Sequence, residues 1–165
     1  MHLAVFNIGI LQNDWEDPHV LDFLRNLERV YGIAEGSPGY VWHFLGGEME
    51  ISHLDAEGVL GGNPRTALTL SVRGSPQSLE SFAFNAQHKR FYDRKLGLYV
   101  GAEQVWGGHR LMMWRVSKGQ IPTINEAVSR LRHLTEHGDS NVAFGWAHFK
   151  DAQHCKRKNC DVVAG

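Results

Sequence analysis

Three short segments of this chain read as strands that are apolar on both sides. They are His2 to Ile8, Tyr40 to Leu45 and Leu111 to Val116. In the first, Leu3, Val5 and Asn7 would point one way and Ala4, Phe6 and Ile8 the other, as the two-residue period of a strand requires. In the second, Tyr40, Trp42 and Phe44 would stand opposite Val41, His43 and Leu45, and in the third Met112 and Trp114 opposite Met113. An antiparallel sheet with helices on one side usually turns a polar second face to water. A chain with such strands must cover both faces.

The segments between them supply helices and one more strand. Asp17-Pro18 is an N-cap followed by proline at the first helical position, Val20, Leu24, Leu27, Tyr31 and Ala34 recur at helical spacing, and Gly36 ends the run. Thr66 to Arg73 reads as a strand with Ala67, Thr69, Ser71 and Arg73 on one side. Ser75-Pro76 opens a second helix in the same way as the first, and Thr123 to Glu126 is a capping box opening a third, through Ala127, Leu131 and Leu134 to Gly138. The long stretch Gly46 to Pro64, rich in glycine, is expected to be a mobile flap. The resulting order is strand, helix, strand, strand, helix, strand, helix. It predicts an α+β domain over residues 1–150, a ferredoxin-like split βαβ arrangement with an added C-terminal helix, followed by a tail over 151–165. A second copy of the same sheet is the simplest cover for the second face, so the expectation is a homodimer whose sheets pack face to face as a barrel.

Composition narrows the function classes. A length of 165 residues, 42% hydrophobic content and a formal charge of −1 suit one globular domain without the basic footprint of a nucleic-acid binder. The opening Met1-His2-Leu3-Ala4 has no cationic lead, and no apolar run approaches membrane-spanning length, which sets cytoplasmic residence as the expectation. Cys155 and Cys160 both fall in the tail, at spacings that match no standard zinc pattern. His133 and His137 lie one helical turn apart but lack the glutamate of a His-Glu-x-x-His motif, so they read as polar residues near a helix end. Neither a Gly-x-Ser-x-Gly elbow nor a phosphate loop is present.

From Ser71 to Phe149 the order Ser71-Val72, Leu79, Phe82, Phe84, His88, Trp114, Pro122-Thr123, Glu126-Ala127, Arg130-Leu131, Leu134, Gly138 and Ala143-Phe144 resembles an uncharacterised family, the domain of unknown function 3291. Leu3 to Ile8 and Ser37-Pro38-Gly39 extend the resemblance to most of the chain. The resemblance implies a dimeric α+β barrel. Relatives in that superfamily include heme-degrading and antibiotic-biosynthesis monooxygenases, quinol oxygenases, and cofactor-free lyases and cyclases. The heme-degrading group places an Asn on the first strand, a Trp at the end of the third and a His on the following helix. Asn7 and His88 look like two of these, and Arg73 stands where the tryptophan would be.

Asn7 and His88 are therefore the leading site candidates, with Arg73 as the third. The imidazole of His88 can act as base, donor or metal ligand, and the helix carrying it is expected to break near Asn85 to Gln87 so that it turns toward the sheet beside Phe84 and Tyr92. A buried Asn7 needs a partner or a ligand. Arg73 could clamp a carboxylate or an enolate, or simply reach solvent from a strand end. Trp42, Met112 and Trp114, with Phe84 and Tyr92, could line the pocket. These residues predict an enzyme acting on a hydrophobic, aromatic or polyketide-like molecule by His-assisted proton abstraction, without a cofactor. A heme protein liganded by His88 and a dimeric protein that binds a ligand without turning it over are the alternatives.

Overall fold

The computed structural model describes residues 1–44, 62–84, 97–101 and 106–148. Within them the elements are β1 (His2–Ile10), α1 (Pro18–Glu35), β2 (Tyr40–His43), β3 (Thr66–Arg73), α2 (Pro76–Ala83), β4 (Leu111–Val116) and α3 (Ile124–His137), with short 3-10 turns at Trp106–Gly108 and Trp146–His148. The helix starts follow their local chemistry. The Asp17 side chain accepts from the His19 backbone N–H at 2.8 Å, and Ser75 and Ser78 bond reciprocally across the first turn of α2 at 3.1 Å each way. At α3 only half of the expected capping box forms. Thr123 accepts from the Glu126 backbone at 3.1 Å, while the Glu126 carboxylate accepts from Trp114 Nε1 at 3.1 Å and Arg130 Nε at 3.0 Å. A buried indole N–H on the neighbouring strand is a better partner for that carboxylate than the cap's own N–H.

The strands form one antiparallel sheet in the order β2-β3-β1-β4. The connection from β1 to β2 therefore passes over β3, and that from β3 to β4 over β1. In the register, Leu3, Val5, Asn7 and Gly9 of β1 stand beside Arg73, Ser71, Thr69 and Ala67 of β3, so these residues share one face. Leu79 of α2 packs there with Leu3, Val5, Met113, Phe144 and Trp146, and Val20, Phe23 and Leu27 of α1 pack with Leu11, Ala67 and Tyr99.

The opposite face carries Ala4, Phe6, Ile8, Leu68, Leu70, Val72, Met112, Trp114 and Val116, packed against Ile124, Ala127, Val128, Leu131 and Leu134 of α3. Phe6, Met112 and Trp114 are fully buried in a single chain. The two-sided strands thus have their second cover in α3. The helix expected as an addition to the fold does the covering expected of a second copy, and its amphipathic stripe removes that particular need for a partner.

The second strand departs from simple alternation. Tyr40 pairs with Arg73 and Trp42 with Val72, so two residues of β2 advance past one of β3, and His43 then pairs with Ser71. This bulge at Val41 puts Tyr40 and His43 on the α1 and α2 side and Trp42 on the α3 side. The expected grouping of Tyr40 with Trp42 is corrected by it. Leu45, most of the expected flap, the expected helix break at Asn85 to Gln87, and the cysteine tail lie outside the described residues. Of the flap, the described end is an ordered turn in which Asn63 accepts from the Arg65 N–H and Pro64 from the Trp15 indole.

Gly39 decides how α2 meets the turn after α1. Its φ of 77° lies in the left-handed region, and an added Cβ would stand 2.3 Å from Ser78 Cβ. Only glycine lets the first turn of α2 come this close, and that approach brings Phe82 to the end of β3.

Candidate functional site

The polar side chains of the sheet interior are segregated. The α3 face is apolar along its centre, with His2 and Thr66 at strand ends, whereas the face under α1 and α2 holds Asn7, Thr69, Ser71 and Arg73, joined through the β2 bulge by Tyr40 and His43. A polar group in an apolar interior must find a partner or cost about 1–3 kcal/mol.

Asn7 is half-buried and donates from Nδ2 to Thr69 Oγ1, its cross-strand neighbour, at 3.0 Å. Among the described residues nothing bonds its Oδ1. The partner that a buried Asn7 needs is thus found within the sheet.

Arg73 is 2% exposed, so it does not reach solvent as a strand-end arginine would. Its Nη1 donates to Ser37 Oγ at 2.7 Å and to the Ala34 carbonyl, in the last turn of α1, at 3.5 Å. The guanidinium carbon lies 4.1 Å from the centre of the Phe82 ring and 5.7 Å from that of Tyr40. No carboxylate pairs with it among the described residues, and Nε is buried without a partner. Burial pushes its pKa down to about 10, with Tyr40 opposing the shift. That corresponds to a penalty on the order of 3 kcal/mol for keeping the charge in place. The negative end of α1 and the two ring faces offset part of it.

His43 was not among the residues singled out from the sequence. It is 7% exposed, its ring stacks on Tyr31 with centroids 4.3 Å apart, and Nδ1 lies 2.9 Å from the Tyr40 hydroxyl and 3.9 Å from Glu35 Oε1. Burial lowers its pKa, the Glu35 carboxylate opposes the shift, and the Arg73 cation adds to it. Tyr31 is pushed up to about 12 by burial, so the ring against His43 is a neutral phenol. His43 is then a neutral imidazole near pH 7. A hydroxyl can donate or accept, so Tyr40 fits either tautomer, and Nε2 carries no bond among the described residues. With the proton on Nδ1, Nε2 is a free base.

The expected site residues are therefore only partly gathered. Asn7 and Arg73 share a face, but Arg73 pairs with Leu3, which stands four positions from Asn7 on β1, or about 13 Å at strand rise. His43, opposite Ser71, falls between them. Trp42, Met112 and Trp114 lie across the sheet against α3, so they do not line the compartment that Asn7 and Arg73 face, and the Trp114 N–H is spent on Glu126. Alternation along a strand gives two faces without saying which helix covers which. Phe84 is the C-cap of α2 and 37% exposed. His88 and Tyr92, and with His88 the heme expectation, lie outside the described residues. His43 could have been found by the criterion that selected Asn7, a polar residue within an apolar strand. The bulge that aims it beside Tyr40 had no local signal.

Among the described residues no group of three side chains could hold a metal ion. His133 bonds Ser140 Oγ at 3.2 Å and His137 is exposed at the end of α3, as expected of polar residues beside a helix terminus. No helix among the described residues is long and apolar enough to cross a membrane.

No curated protein matches the sequence. A family model, Domain of unknown function (DUF3291), matches residues 2–160, nearly the whole sequence. The chain belongs to the DUF3291 family.

Proposed function

We propose that this protein is a small-molecule enzyme that moves a proton on a hydrophobic, aromatic or polyketide-like substrate, in the manner of cofactor-independent monooxygenases, cyclases or lyases. The observation that carries the reading is the gathering of Asn7, Thr69, Ser71, Arg73, Tyr40 and His43 on one sheet face, while the centre of the other face is apolar and its polar residues, His2 and Thr66, stand at strand ends. Stability alone gives no reason to concentrate polar groups under α1 and α2. Catalysis does, since donors and a neutral base held in a water-poor interior act strongly on a developing charge. In this reading His43 Nε2, alongside the His88 suggested by the sequence, takes the proton. Asn7 supplies an amide for the oxygen that gains charge, and Arg73, about 13 Å further along the face, a guanidinium that holds another part of the substrate.

Proton abstraction next to a carbonyl can be tested without the natural substrate. Aryl ketones incubated with the protein in D2O should exchange their α-protons faster than in buffer, as followed by NMR. The base is assigned by whether His43→Gln or His88→Ala removes the acceleration. A full panel of aryl ketones and phenolic ketones exchanging at the buffer rate would sink the proposal.

The same reading carries a finer fold assignment. The strand order with its two crossovers supports a ferredoxin-like arrangement, and we place the family among the dimeric α+β barrels. For the homodimer the support is narrower than two-sided strands. Trp42, Phe44 and Trp106 stay partly exposed around the α3-covered core, and Val41 beside them is 39% exposed. Light scattering at micromolar concentration should give the mass of two chains, and a one-chain mass would remove the dimer.

A further inference from the structure

We infer that the free edge of the Arg73 guanidinium is the receptor for a ligand carboxylate, and that the ligand is a planar organic acid with an apolar body. A guanidinium offers one donor edge formed by Nε and Nη2, whose two N–H groups are parallel and spaced to meet both oxygens of a carboxylate. In Arg73 this is the edge left over. Nη1 is occupied by Ser37 Oγ at 2.7 Å and the Ala34 carbonyl at 3.5 Å, Nε is buried with no partner, and Nη2 makes no bond among the described residues. Phe82 at 4.1 Å and Tyr40 at 5.7 Å from the guanidinium carbon hold its plane, so the edge is oriented before any ligand arrives.

A structural task explains only half of this. The contacts of Nη1 cap the end of α1, where a cation meets the equivalent of roughly half a negative charge. They leave the rest of the charge uncompensated at a residue that is 2% exposed. Buried charges are as a rule paired, and an unpaired one is costly until an anion joins it. Two parallel donors select two oxygens, which favours a carboxylate over an enolate or phenolate with one. Leu3, paired with Arg73 in the register, and Leu79 packed on Leu3 surround this end of the face, so the part of the ligand that follows the carboxylate meets apolar groups.

The inference deepens the proposed function by naming the chemistry of its ligand, and it is tested by binding, so that either can fail alone. Benzoate is the probe, benzamide its neutral analogue and inorganic phosphate a non-planar anion. The readout is the Arg73 Nε–H resonance in a ¹⁵N correlation spectrum, together with the melting temperature. Benzoate should move the resonance downfield and raise the melting temperature saturably, and benzamide at the same concentration should do neither. Arg73→Gln and Arg73→Lys should each weaken benzoate at least tenfold, lysine failing because a point charge does not reproduce the fork. The idea is overturned if benzoate leaves the Arg73 resonance in place at 50-fold excess over protein, or if benzamide acts equally. Phosphate acting as strongly as benzoate would also overturn it, reducing the site to a general anion trap. Because the probe comparison uses the unaltered protein, a variant that does not fold leaves the decision intact.

Discussion

Arg73 sets a conflict between stability and use at the scale of a single residue. A buried cation without a carboxylate is destabilising, so replacing it with an apolar side chain of similar length should relieve the interior even though the contact with Ala34 is lost. Arg73→Met is expected to leave stability unchanged or raise it by up to about 2 kcal/mol, as for other buried charges exchanged for hydrocarbon. Chemical denaturation measures this, and a loss beyond about 3 kcal/mol would make Arg73 a structural residue first. His43 gives a pH signature. Its pKa in the fold lies below the ordinary 6.5, so between the two values the unfolded chain binds more protons than the folded one. The contribution of His43 to stability is therefore complete above pH 6.5 and is lost as pH falls from 6.5 through the lowered folded value. Melting temperatures across that range should fall with acid in the parent protein, and less steeply in His43→Gln. Equal slopes would show that the ring is not held neutral by burial.

The elements place these residues through contacts that differ in how local they are. Each helix start is read within a few residues, which is why Asp17-Pro18, Ser75-Pro76 and Thr123 mark the starts correctly in the sequence. How α2 lies against the α1 to β2 turn depends instead on Gly39, where backbone and space both exclude a side chain. Gly39→Ala should cost about 2 kcal/mol or more, since φ of 77° is strained for alanine and the methyl group meets Ser78. It should also disturb Phe82 above Arg73, because the same turn carries α2. Thermal melting checks the first effect and the Arg73 Nε–H resonance the second. An alanine variant as stable as the parent would mean that the turn rearranges freely.

At the scale of the whole molecule, α3 closes the second sheet face within each chain. Leu134 of α3 is 1% exposed in the cluster with Phe6, Met112 and Trp114. Leu134→Ala should cost about 2–5 kcal/mol, as is usual for a leucine removed from a packed core. If α3 belongs to the fold of each chain, that cost is the same at every protein concentration. If the face were closed mainly by a second copy, the melting temperature would rise with concentration and the loss would vary with it. Melts over a hundredfold concentration range separate the two.

Asn7, Arg73 and the strands that carry them were legible in the chain, because alternation and cap residues are local and each is written within a few positions. The outcome for each was not. Whether Arg73 points to water or into the interior depends on α1 ending above β3, and His43 meets Tyr40 because one extra residue is accommodated at Val41 against β3. The cover over Trp114 and Met112 depends on which side of the sheet α3 returns to. Sequence by itself determined where helices and strands begin and which residues are apolar, since these follow from backbone preferences and neighbouring side chains. Only the tertiary structure decided faces, register and burial, because these depend on pairings between residues far apart in the chain. An unpaired guanidinium inside the fold is one product of such pairings.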